Sequence, residues 1–166
     1  MEIKPDTPNT LKENIRAMRI LCIALITGVI IFTVIMTVLV AINGPAFDPG
    51  SIHSYEQLII GGMALVAIIS FGFAITGYNK KINVLKQSGD TLNDRLNVYR
   101  GILIKYMAAT EMPALMSVIA YFLSGLTLLI GITVLSLLAM VWKAPFGRRW
   151  VTEMGADWQD EEKMKS

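Results

Sequence analysis

Glu111 is the one acidic side chain set deep inside an apolar run of this sequence, the tenth residue of the 21-residue stretch Ile102–Phe122. If that stretch crosses a bilayer, the carboxyl lies near the midplane, where a charged group costs on the order of 2.5–3.5 kcal/mol. Lys105 is six residues earlier, about 9 Å away along a helix and on a different face. A carboxyl held in hydrocarbon without a counter-charge is expected to carry a proton at rest. Pro113 follows two residues later. Its ring removes the helix hydrogen bond to the carbonyl of Ala109 and is expected to bend the helix. A carboxyl and a freed carbonyl within one turn make a minimal site for a proton or small cation. Hydroxyls of comparable depth could bond it: Thr33, Ser70, Thr133 and Ser136. The competing reading is a protonated carboxyl that joins helices while Pro113 sets a packing bend. Such interhelical bonds average only about 0.6 kcal/mol.

Other chemistry is sparse. His53 is the sole histidine and, with Asp48, falls in a turn-rich segment; it reads as a solvated loop residue, not a metal ligand. Cys22 is the sole cysteine and lies inside the first apolar run, so neither a disulfide nor redox chemistry is indicated. The sequence has no phosphate-binding glycine loop, no histidine pair at metal spacing and no serine with a nearby base and acid. No enzyme activity, cofactor or metal is therefore expected.

These residues have to be held by apolar elements. Of 166 residues, 54% are apolar and 17% charged, against roughly 45–50% and about 25% in soluble domains. Four runs, Ile20–Ile42, Leu58–Gly77, Ile102–Phe122 and Leu126–Trp142, hold 81 residues with Lys105 and Glu111 as their only charges. That distribution excludes secreted disulfide scaffolds, disordered tails, nucleic-acid binders and soluble enzymes. A secretory signal would have an apolar core of only about 7–15 residues, so the first run is expected to remain as a spanning helix.

The 15 Lys and Arg avoid two of the connections. Residues 43–57 and the Ser124-Gly125 link carry none, whereas residues 1–19, 78–101 and the tail after Trp142 carry nearly all. By the positive-inside rule both termini and the middle connection are cytoplasmic. The fold expected is an all-α, four-transmembrane-helix bundle.

Local signals place the ends. Thr10-Leu11-Lys12-Glu13, Ser54-Tyr55-Glu56-Gln57 and Thr91-Leu92-Asn93-Asp94 are three capping boxes, and Asn43-Gly44-Pro45 is a stop. Ile82, Leu85, Leu92, Leu96, Tyr99 and Leu103 keep helical spacing around Ser88-Gly89-Asp90. The second and third helices are thus expected to project about 10 residues, or about 15 Å, as a cytoplasmic helical hairpin over residues 79–100. An amphipathic helix lying on an anionic leaflet is the alternative.

Small residues mark where helices can approach closely. Ala67, Ser70, Ala74 and Gly77 form one stripe on the second helix, and the first offers Ala24 and Gly28 four apart. Trp142, Arg148, Arg149 and Trp150 form an interfacial anchor, after which the acidic end of the tail reads as frayed.

The segment Gly61–Phe122, a Gly/Ala-rich helix, a polar turn and a helix with a mid-membrane carboxylate near a proline, resembles the rotor c subunit hairpin of ATP synthases. That likeness implies a proton- or sodium-binding role for Glu111. It omits the regular Gly-x-Gly-x-Gly run and the Arg-Gln-Pro turn. The whole chain, with Lys105-Tyr106, Glu111-Met112-Pro113-Ala114 and Ala120-Tyr121-Phe122-Leu123-Ser124-Gly125, looks like small four-helix membrane proteins of bacteria. This second likeness implies an architecture and a bacterial inner-membrane location.

The function expected is that of a non-enzymatic integral membrane protein, a scaffold or accessory subunit whose partners are the lipid bilayer and other membrane subunits or itself, with no nucleic acid. Ion coupling through Glu111 is the alternative, and docking of a cytoplasmic partner on residues 79–100 a third.

Overall fold

A computed structural model describes residues 8–47, 52–88, 92–145 and 153. The chain is all-α: 92% of the described residues are helical and none is in a strand. Four helices run α1 (Pro8–Asn43), α2 (Glu56–Gln87), α3 (Leu92–Ser124) and α4 (Leu128–Lys143), with a 3-10 turn, His53–Tyr55, before α2. Three of them are long and apolar enough to cross a membrane.

The fourth differs from expectation. Four spans were expected, but α4 has 16 residues, about 24 Å of helix against a hydrocarbon core of about 30 Å. Its start is displaced by the reversal after α3. Gly125 takes φ +74, its N–H reaches Tyr121 O at 2.7 Å, and the carbonyls of Leu126 and Thr127 are taken by Leu129 and Ile130 N–H.

α3 is the central helix. It packs against α1, α2 and α4, while α1 and α2 are not close neighbours. Its packed faces carry Leu96, Tyr99, Leu103, Met107, Ala114 and Val118, all buried. α1 meets it along a narrow seam: Ile15, Met18, Cys22 and Val29 are buried, with Leu25 against the same core. The spacing 15, 18, 22, 25, 29 is the 3.5-residue repeat of a coiled-coil seam. α4 repeats the device with Leu129, Thr133, Ser136 and Met140.

At one end α1 and α3 stop in the same way and lock together. Gly44 (φ +78) and Gly125 (φ +74) adopt the left-handed conformation that ends a helix. A side chain at Gly125 would also meet Pro45, whose Cβ and Cγ lie 3.2 Å from an added Cβ. Ala46 and Phe47 N–H then donate to Phe122 and Leu123 O, each at 3.0 Å. The orphan carbonyls of α3 are satisfied by the chain leaving α1.

At the other end α2 and α3 continue beyond their apolar runs and pair as antiparallel helices. Tyr78, Ile82 and Leu85 of α2 are buried in one cluster with Leu96, Tyr99 and Ile102 of α3. Ser88 Oγ donates to Leu85 O at 2.9 Å, and Arg95 Nη2 donates to Ser88 O at 2.7 Å.

The capping boxes fare differently. α1 already includes Pro8, a residue suited to a first helical turn, so Thr10 lies inside the helix and is not its N-cap. Ser54 sits in the 3-10 turn and α2 begins without a side-chain cap. Thr91 falls outside the described residues, as do Arg148, Arg149 and Trp150.

Candidate functional site

Glu111 lies half-buried on α3, one residue from Met112, which is 61% exposed. It therefore borders an exposed face of α3. α3 is continuous through Pro113, which is buried, and Ala109 is half-buried one turn earlier.

Three of the four hydroxyls considered for Glu111 bond elsewhere. Thr33 Oγ donates to Val29 O at 2.7 Å and Ser136 Oγ to Ile132 O at 2.9 Å, each within its own helix. Thr133 and Ser117 share a hydrogen bond of 2.7 Å across the α3–α4 contact, with Ala114 O 3.4 Å from Thr133 Oγ. Ser70 is half-buried on α2. Among the described residues no hydrogen bond joins any of them to Glu111. The cause is packing: Thr133 and Ser136 share the inward face of α4 with Leu129 and Met140, and Thr133 is turned to Ser117 and Ala114 of α3.

The small residues divide. On α2, Ala67 and Ala74 are buried and Ser70 and Gly77 half-buried, so the stripe faces inward, towards α3 and not α1. Ala24 and Gly28 are exposed, and Gly28 has no neighbouring atom within 4 Å of an added Cβ. They lie beside the α1 seam, whose positions are taken by larger residues. His53 is exposed and forms an i,i+3 contact of 3.6 Å with Glu56. Trp142 is 69% exposed.

The most developed polar cluster was not anticipated. Glu153, from the tail after α4, brings a carboxylate onto groups from three helices. Its Oε2 accepts from Tyr78 Oη of α2 at 2.5 Å and from Tyr99 Oη of α3 at 3.4 Å, and the two hydroxyls are 3.3 Å apart. Its Oε1 meets Lys143 Nζ of α4 at 3.2 Å. The same ammonium sits 4.3 Å from the centroid of the Tyr78 ring, so one cation serves a carboxylate and a π-face. Tyr106 abuts Tyr78 edge-on, with ring centroids 5.3 Å apart.

Both ionic side chains are largely covered, 16% exposed for Lys143 and 17% for Glu153. The arrangement is a lock that ties the chain after α4 to the α2–α3 pair. The sequence held one clue, tyrosines at positions 78, 99 and 106 near a boundary, but nothing local pairs them with residue 153.

Comparison with protein-family models, with curated proteins and with solved structures finds no match to this chain.

Proposed function

We propose that this chain is a non-enzymatic integral membrane protein, a scaffold or accessory subunit of a membrane assembly, with both termini and the α2–α3 hairpin on the cytoplasmic side of a bacterial inner membrane. The observation that carries the reading is an inverted distribution of polarity. Leu58, Phe73 and Ile42 are 74–76% exposed, whereas Thr110, Ser117, Thr133 and Ser136 are wholly covered. Water penalises that surface, while hydrocarbon accepts it and requires polar groups to be satisfied internally.

Lys80, Lys81, Lys86, Lys105 and Lys143 gather at the hairpin end, and the loop at Pro45 has no basic residue, which supports the orientation. α4 is short for a span, and a short span is accommodated by local bilayer thinning and by snorkelling of flanking residues such as Lys143. The Ala24–Gly28 pair on the open face of α1 suits close approach of a further membrane helix, from another subunit or a second copy.

A second reading is favoured by Glu111, a half-buried carboxyl bordering an open face and bonded to none of the nearby hydroxyls: exchange of a proton or cation at that group. The test is flux of protons and sodium into liposomes containing the purified chain. The scaffold reading expects none above protein-free vesicles, and no change in Glu111→Gln. Flux that Glu111→Gln stops would replace it with ion coupling.

A further inference from the structure

We infer that the α2–α3 seam at the hairpin end is a binding site for one anionic phospholipid, its phosphate held by Lys81 and Lys105 and its first acyl carbons by the cleft below them. This rests on the membrane reading above. Two hollows of about 170 and 490 Å³ lie along the seam and adjoin at Lys81 and Ile102, which line both. The smaller brings Lys81 of α2 and Lys105 of α3 to the same opening, and the larger adds Lys80.

All three lysines are exposed, and among the described residues none is in an ion pair. Lys143, at the same end, is neutralised by Glu153. The contrast leaves two cations converging from different helices on one opening, the charge pattern that suits a phosphate at the headgroup level.

The floor supplies the other half of the ligand. Phe73, Ala74 and Gly77 line it from α2, and Ile102 and Ala109 from α3. An added Cβ at Gly77 meets nothing within 4 Å, so the position keeps the cleft open, not a helix contact close. The floor descends from the lysines into the apolar runs, so a phosphate at the top directs its acyl chain along the cleft. Neither an acidic peptide nor a free anion would use that floor.

The experiment is native mass spectrometry of the full chain, released from mixed micelles of phosphatidylglycerol and phosphatidylcholine. One phosphatidylglycerol is expected to be retained in preference. Lys81→Gln and Lys105→Gln should each weaken retention about fivefold, and Lys86→Gln, outside the cleft, should leave it unchanged. Gly77→Phe should reduce retention of lipid with both lysines intact. Equal retention of the two lipids, or insensitivity to both lysine substitutions, overturns the site, as does full displacement of the lipid by inorganic phosphate. Those results leave the membrane reading standing; it fails separately if the chain stays in solution without detergent.

Discussion

Glu153→Ala is expected to cost the fold about 3 kcal/mol, the low end of what is lost when one partner of a covered ion pair is removed. The substitution leaves Lys143, 16% exposed, without its carboxylate, and removes the acceptor shared by Tyr78 and Tyr99. The ring of Tyr78 still faces the ammonium, which keeps the loss from being larger. Unfolding of the detergent-solubilised protein by heat or denaturant reads the effect. Removing the cation as well, in Lys143→Met with Glu153→Leu, should recover most of it, because two apolar groups need no partner. A loss below about 0.5 kcal/mol for Glu153→Ala, the size of an ordinary surface substitution, would mean that the lock contributes nothing to stability.

Tyr99 separates packing from hydrogen bonding at the same place. It is wholly covered and among the largest buried side chains. Tyr99→Ala should therefore cost about 3–5 kcal/mol, the range for removing a buried aromatic ring. Tyr99→Phe keeps the ring and gives up contacts of 3.3 and 3.4 Å, at about 1 kcal/mol. The same unfolding measurement checks both. If Phe proved as damaging as Ala, the hydroxyl would be the principal element and the ring a spacer.

What could be read in advance follows the range of each interaction. The stop at Asn43-Gly44-Pro45 needs only neighbouring residues, and α1 ends there. The pairing of α2 with α3 needs helical spacing on both sides of a short turn, and Ile82, Leu85, Leu96 and Tyr99 supply it. The Glu153 lock joins residues 54 and 75 positions apart, with no periodicity to announce it. Ala24 and Gly28 are exposed beside the seam, because a small pair shows where a helix can approach, not whether one does. In α1 the seam of Ile15, Met18, Cys22 and Val29 decides the inward face. Ser54 failed as a cap because a 3-10 turn begins one residue earlier. Thr133 and Ser136 were placed by their hydroxyls, but their shared face with Leu129 and Met140 sets where they point.

A polypeptide that threads a bilayer with its hairpin end inside is tested most directly by side-specific labelling. Cys22, the sole cysteine, is replaced by serine, and single cysteines are introduced by Ser54→Cys and Ser88→Cys at the two ends of α2. A membrane-impermeant maleimide applied to intact cells should modify position 54 at once and position 88 only after permeabilisation. Modification of both from the same side, or recovery of the chain in the detergent-free soluble fraction, would contradict that topology.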